Sequence, residues 1–388
     1  MDPGIEALVQ AIHATPMRAM LLFSGGASQA LSWLLSVPGA SSTLLEATTP
    51  YSRRALHLAL GKEPEQFASQ ATANDMALKA YNRALMLAGP GVPVAGIGCT
   101  CAIVSGAPKR GDHRCFVAAR TQERTWEAGM FLDKGLRDRL GEDDVTSRLL
   151  LQAIANASGV PRHLDLRLTD SEAQRLQWST RSFSRDEQLE QLLRREVPFV
   201  TFLPEGLSLE GKRRVILPGS FNPLHEGHLG MMDAACKLVR NPAPCFELSA
   251  TNPDKPALPV DEIRRRAKQF EDRGSMLVVT DASLFTRKAQ LLPDSTFVVG
   301  VDTAKRLFMK KYYDDSRANM IRELSQMREN GCDFAVAGRA LGENGFERLE
   351  DIEVPHEVAD IFKAIPDFRM DISSTELRKK LQNAAPKG

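Results

Sequence analysis

The spacing of apolar residues changes along the chain, and each change marks an element. Ile5 to Ala14 places apolar residues at helical spacing. Gly25 and Gly26 break the chain, and Ala27 to Leu35 returns to a helical pattern. Pro38-Gly39 reads as a turn and Ser42 to Thr48 as a strand, and Ser69 to Leu87 as a long Ala-rich helix. Pro93 to Gly98 and Cys115 to Ala119 are short apolar runs of the kind that form buried strands. Val145 to Ala157 closes this first block as a helix.

A polar stretch follows, from Asp165 to Glu210, interrupted by the apolar run Val197 to Leu203. It reads as a bridging helix, a strand and a linker. Beyond it, strand-like runs at Arg213 to Leu217, Phe246 to Ala250, Met276 to Thr280, Thr296 to Val301 and Asp333 to Ala337 are separated by helical patterns. These helical patterns lie at Gly227 to Leu238, Val260 to Phe270 and Ser316 to Met327. Strands alternating with helices imply a parallel sheet with right-handed crossovers. The expected organisation is two α/β domains: 1–165, a bridge over 166–208, and 209–388, the last a doubly wound parallel sheet.

Composition changes this picture little. The chain has 388 residues, 43% hydrophobic and 26% charged, enough for two cores without staples. Fifty basic and forty-nine acidic residues leave a net charge of +1, which argues against a dedicated nucleic-acid binder. No apolar run approaches the length of a membrane span, and the N-terminal segment lacks the pattern of a secretory signal. The expected partners are small molecules rather than nucleic acid or membrane, in the cytoplasm or nucleus. Of the six cysteines, Cys99, Cys101 and Cys115, with His113, could hold zinc. Their spacing differs from that of structural zinc sites, so they are read as buried strand thiols, and no metal site is expected.

The densest chemistry lies in Gly219-Ser220-Phe221-Asn222-Pro223-Leu224-His225-Glu226-Gly227-His228, directly after the strand Arg213 to Leu217 and leading into a helix. Gly219 and Pro223 shape a turn at a strand end, and Gly227 allows close approach of a ligand to the backbone. A helix start there favours an anion. His225 and His228, three residues apart, share one face of a helical turn and can donate to phosphate oxygens.

This segment resembles the G-x-F-x-P-x-H-x-G-H signature of the nucleotidyltransferase superfamily. Ile372-Ser373-Ser374-Thr375-Glu376-Leu377-Arg378 resembles its second signature, ISST-x-x-R, in the form found in nicotinamide or nicotinate mononucleotide adenylyltransferases. Val299-Gly300-Val301-Asp302 resembles the G-x-D element, and Asn252 to Lys255 sits where that family often has a substrate loop. The resemblance implies a Rossmann-like fold and transfer of an adenylyl group from ATP, with Mg²⁺, to a pyridine mononucleotide with release of pyrophosphate. It gives His225, His228 and Arg378 the catalytic roles. Gly219, Ser220, Phe221, Asn222, Gly227, Asp302, Ser373, Ser374 and Thr375 would bind the nucleotide, and Asn252 and Lys255 the acceptor. Ser373 to Thr375 can also cap a helix facing phosphate, and Arg378 can bridge two phosphate oxygens. Pyridine-binding members often carry a Trp after G-x-D; here the stretch Thr303 to Tyr313 has none, and Phe308 or Tyr312 would have to stack instead. Alternatives are another phosphorylated acceptor such as phosphopantetheine, CTP in place of ATP, or a nucleotide-sensing scaffold without turnover.

The first block resembles the CinA C-terminal domain, whose active members deamidate nicotinamide mononucleotide. The resemblance rests on Ser24-Gly25-Gly26, Ser36 to Ser41, Thr49 to Ser52, Val94 to Gly98 and Gly135 to Leu140. The departures are chemical. Leu21 and Leu22 stand at that family's Glu and nucleophilic Ser, and Cys99 to Ala107 replaces its glycine-rich loop. A leucine cannot attack an amide, so amidase activity is not expected unless Ser24 is a displaced nucleophile. A sensing role or a homo-oligomer interface are the roles left to this domain.

Overall fold

The computed structural model describes residues 1–106, 110–209, 211–251, 256–341, 345–366 and 368. The chain divides into two compact units, Met1–Gln188 and Leu189–Gly388. The division falls inside the stretch expected as a bridge. Residues 177–182 join the first sheet and 199–202 the second, so the bridge is not a separate body. Among the described residues no helix is long and apolar enough to cross a membrane.

The N-terminal unit runs α1 (Pro3–His13), β1 (Arg18–Ser24), α2 (Ser28–Ser36), α3 (Ala40–Thr43), β2 (Leu44–Thr48), α4 (Arg53–Leu60), α5 (Gln70–Ala88) and β3 (Val94–Ala102). It continues through β4 (His113–Arg120), β5 (Arg124–Leu132), α6 (Arg139–Ala157), α7 (Asp170–Gln174) and β6 (Gln177–Ser182). Its sheet has the order β2-β1-β3-β4-β5-β6, parallel across β2, β1 and β3 and antiparallel beyond. The periodicity reading assigns no element to Arg18–Ser24. Yet β1 is central, and six of its seven residues are buried. A strand covered on both faces loses the alternation by which strands are read.

Helix α5 packs across β1, β3 and β4 on one face. Its alanines meet glycines of β3: a Cβ at Gly98 would lie 2.2 Å from the Ala73 carbonyl oxygen, and one at Gly96 2.0 Å from the Tyr81 nitrogen. The two glycines let the backbone of α5 approach β3 at Ala73, Ala77 and Tyr81 more closely than any side chain on β3 would allow. The other face carries the main core, where Leu149, Ile154 and Val145 of α6 pack with Ile97, Cys99 and Val117 of the sheet. Asp2 caps α1 through the Gly4 amide, and Asp138 caps α6 through the Gly141 amide, both at 2.8 Å.

Helix α8 (Arg185–Leu193) spans the division, and β7 (Phe199–Phe202) opens the second sheet. The C-terminal unit continues with β8 (Arg213–Pro218), α9 (Glu226–Cys236), β9 (Pro242–Ser249), α10 (Val260–Glu271), β10 (Leu277–Thr280), α11 (Phe285–Leu291) and β11 (Ser295–Gly300). It ends with α12 (Val301–Leu307), α13 (Arg317–Glu329), β12 (Asp333–Ala337), a two-stranded ribbon of β13 (Arg339–Leu341) and β14 (Gly345–Glu347), and β15 (Phe362–Ala364). The sheet order is β15-β12-β11-β8-β9-β10-β7, parallel except for β7. After the edge strand β7 the chain enters the middle at β8, builds outward through β9 and β10, then crosses back to β11. The switch point therefore lies between β8 and β11, where such sheets bind ligands at the strands' carboxyl ends.

The opposite end of this sheet is tied by charge. Asp333 accepts from Thr296 Oγ1 at 2.5 Å, Lys363 Nζ at 2.8 Å and Arg213 Nη2 at 3.1 Å. These bonds hold the starts of β8, β11, β12 and β15 in register. The ring of Phe334 stacks on Phe362 at 4.8 Å and tilts against Phe297 and Phe285. One end of the sheet is thus locked, and the other is left to the loops.

Candidate nucleotide site

The site grows out of the turn between β8 and α9. Gly219 donates its amide to the Glu247 carbonyl at 2.9 Å, and the chain then doubles back so that Phe221 plugs the core beneath. Phe221 has φ +45° and is fully buried. Its ring meets Phe270 at 5.0 Å, Phe246 at 5.6 Å and His228 at 5.1 Å, all edge-on. A Cβ at Gly219 would lie 2.6 Å from that ring, so only glycine fits there.

Helix α10 clamps the turn from outside. Arg266 Nη1 donates to the Ser220 carbonyl at 3.0 Å, Arg265 Nη2 to Asn222 Oδ1 at 2.8 Å and Gln269 Nε2 to the Phe221 carbonyl at 3.0 Å. Gln269 Oε1 accepts the Leu224 amide at 2.8 Å. Glu262 aims both guanidinium groups, and Arg265 and then burial set its own acidity: the hydrogen bond from Arg265 brings it down to about 2 against desolvation. These residues lie about one helix away in the fold and carry no motif. The basic face of Val260 to Phe270 was the sole signal that could have found them. Replacing Arg266 by Ala is expected to loosen the Ser220 carbonyl and raise the KM for nucleotide on the order of tenfold. Steady-state kinetics over a range of nucleotide concentrations reads this directly.

His225 caps α9, and the His225 and His228 rings stack 3.7 Å apart. The His225 amide donates to His228 Nδ1 at 3.3 Å. With Nδ1 accepting, the neutral His228 ring carries its proton on Nε2 and can donate it. Burial, and secondarily His225, pushes His228 down to about 4; burial also lowers His225. Both rings are therefore neutral donors near pH 7. A His kept neutral in the fold stabilises it fully above its unfolded value near 6.5, and that contribution is lost as pH falls toward about 4. Thermal unfolding between pH 7 and pH 4 should show parent protein losing stability faster than a His228→Gln variant.

The turn opens onto a cavity of about 680 Å³ at the carboxyl ends of β8, β9 and β11. Gly219, Ser220, Asn222, His228, Gly300 and Thr303 are among its lining. Arg266 and Lys288 supply the cations there, and each already faces a carboxylate, Glu262 and Glu247 respectively. Lys288, buried, also donates to Ser249 Oγ at 2.6 Å. Among its described lining residues there is no carboxylate. The donor set therefore suits phosphate oxygens, and Mg²⁺ would be held by the phosphates and water rather than by these side chains.

Asp302 sits at the start of α12, half exposed and paired with the Arg339 guanidinium, while its neighbour Thr303 lines the cavity. Asn252, Lys255, Ser373, Ser374, Thr375 and Arg378 lie outside the described residues. A second cavity of about 400 Å³ adjoins the first, sharing Ser283, Phe285 and Thr303 and reaching Tyr312. Phe308 packs instead against Phe362 at 5.0 Å. Of the two aromatic residues read as stacking candidates, Tyr312 lines a cavity and Phe308 packs against the sheet.

Residues 216–380 match the cytidylyltransferase-like family. This segment is a nucleotidyltransferase-superfamily domain. It spans both signatures, from the end of β8 through Arg378. No curated protein matches the chain. Similar solved structures are CinA-type proteins covering the N-terminal part. They include the competence/damage-inducible protein CihA from Agrobacterium tumefaciens, at 16% identity, covering 40% of this chain and 97% of that one with a TM-score of 0.32. Another is a competence-damaged protein (CinA) superfamily protein from Enterobacter cloacae, at 14% identity, covering 40% and 90% with a TM-score of 0.31.

In the N-terminal unit Leu21 and Leu22 are buried in β1, and Ser24 Oγ donates to the Pro50 carbonyl at 3.1 Å. Cys99, Cys101 and Cys115 come together with their sulfur atoms 3.2 to 3.7 Å apart. The three thiols are buried on neighbouring strands, and His113 pairs through Nδ1 with Glu142 at 2.7 Å.

Proposed function

We propose that the C-terminal unit transfers the adenylyl group of ATP to nicotinamide or nicotinate mononucleotide and releases pyrophosphate. The observation that carries this is the stacked, neutral His225–His228 pair at a helix start, opening on a cavity of about 680 Å³ at the sheet's switch point. The acceptor phosphate oxygen attacks the α-phosphorus; a P–O bond forms to it as the bond to pyrophosphate breaks. No covalent enzyme intermediate is required. The chain's work is positioning and stabilisation of charge. His228 Nε2–H donates to the phosphate oxygens as negative charge shifts onto the leaving group, and the start of α9 adds its amides. Ser220 and Thr303 line the path of the triphosphate. Arg378, with Ser373 to Thr375, would hold the β and γ phosphates, and the Mg²⁺ carried by them would offset their charge.

The adjoining cavity favours a planar acceptor base. Tyr312 at its wall can stack on a pyridine ring, taking the place of the Trp that this chain lacks. The N-terminal unit is proposed to lack amidase chemistry, because its nucleophile position is a buried leucine and Ser24 spends its proton on a carbonyl.

The test pairs ATP or CTP with nicotinamide mononucleotide, nicotinate mononucleotide or phosphopantetheine, using the full chain and Mg²⁺, with products weighed by mass spectrometry. A dinucleotide formed only from ATP and a pyridine mononucleotide is expected. Turnover with CTP or phosphopantetheine alone would overturn the acceptor and donor assignment. Nucleotide binding without any product would favour a sensor.

A further inference from the structure

The three clustered thiols of the N-terminal unit play no part in the chemistry above. Strand alternation puts Cys99 and Cys101 on one face of β3, and the β3–β4 register sets Cys115 directly opposite Cys101. Their sulfur atoms form a closed triangle: 3.6 Å from Cys99 to Cys101, 3.7 Å from Cys99 to Cys115 and 3.2 Å from Cys101 to Cys115. Four thiolates around zinc, with bonds of about 2.3 Å, set their corners about 3.8 Å apart. The triangle is close to one face of that tetrahedron without moving the backbone.

Burial fits as well. Cys99 and Cys115 are fully buried, and Cys101 is 8% exposed. The partly exposed Gly26 lies against Cys101, with its Cβ position 3.4 Å from that sulfur and 3.1 Å from the Ile103 side chain. Asp143 of α6, itself buried, contributes negative potential to Cys99 and Cys101 while accepting from Ser28 and Gln29. With the three thiol protons expelled, the site carries a net −1 around zinc(II) or −2 around copper(I), and the Asp143 charge beside it is met by the Ser28 and Gln29 donors instead.

We propose that Cys99, Cys101 and Cys115 form a three-thiolate site for a thiophilic d¹⁰ cation, zinc(II) or copper(I). Soft sulfur ligands select these ions, and binding expels the thiol protons to solvent. This site lies in the N-terminal unit and stands independently of nucleotidyl transfer.

The experiment uses the full reduced chain, made metal-free and dialysed against zinc(II) or, under anaerobic conditions, copper(I), with bound metal counted by elemental analysis. One equivalent per chain is expected, with proton release. Cobalt(II) should give the sulfur-to-metal charge-transfer band in the near ultraviolet. Cys101→Ser and Cys115→Ser should lose the equivalent, and Cys236→Ala should keep it. Should the Ser variants fail to fold, the parent still decides: bound metal must protect Cys99, Cys101 and Cys115, but not Cys236, from alkylation mapped by mass spectrometry. Retention of zinc against copper, or the reverse, identifies the ion. No bound metal, unchanged metal in folded Cys101→Ser, or a Cys101–Cys115 disulfide in place of metal would overturn the site.

Discussion

A His228→Ala protein is expected to fold as the parent does and to release pyrophosphate on the order of 10³-fold more slowly at saturating substrate. The reasoning is local. The ring packs edge-on against Phe221 and face-on against His225, but it is partly exposed and lines the cavity. Its removal takes away the Nε2 donor that the proposed transfer uses and little of the core. The loss should fall on kcat rather than KM, since the donor matters most when charge reaches the leaving pyrophosphate. His228→Gln, which keeps a donor of similar reach, should recover part of the rate. Unchanged turnover in His228→Ala would remove the histidine from the chemistry.

The second large effect belongs to Phe221. Phe221→Ala empties a fully buried site surrounded by Phe246, Phe270 and His228 and is expected to cost about 3–5 kcal/mol. It also frees the turn that carries Ser220 and Asn222, so activity should fall with stability. The protein offers an internal control, because its three tryptophans, Trp33, Trp126 and Trp178, all belong to the N-terminal unit. Urea unfolding followed by circular dichroism should shift to lower denaturant, while the tryptophan fluorescence transition stays in place. A circular dichroism transition identical to that of the parent would contradict the role given to this ring.

The Gly219 to His228 segment was legible because its chemistry demands unusual residues at fixed offsets, and both the turn and the helix start follow from those residues. The parallel order of the second sheet was legible from alternation of strands and helices. Three features were not. β1 hides in Arg18–Ser24 because a strand buried on both faces shows no period. The clamp of Arg265, Arg266 and Gln269 on the turn lies more than 40 residues away in sequence, and nothing local marks its target. Cys99, Cys101 and Cys115 stood out as a group in the sequence, but their closure into a triangle without His113 is set by cross-strand register, which pairs Cys101 with Cys115. The choice between Phe308 and Tyr312 likewise needed tertiary packing: both are aromatic residues after the same element, and only one faces a cavity.

The central claim is attack on the α-phosphorus, and isotope position tests it most directly. The full chain would be given Mg²⁺, nicotinamide mononucleotide and ATP labelled at either the α or the γ phosphate. The account predicts that the α label enters the dinucleotide and the γ label leaves as pyrophosphate. Gamma label appearing in inorganic phosphate or on the mononucleotide would mean hydrolysis or phosphoryl transfer, and would contradict it.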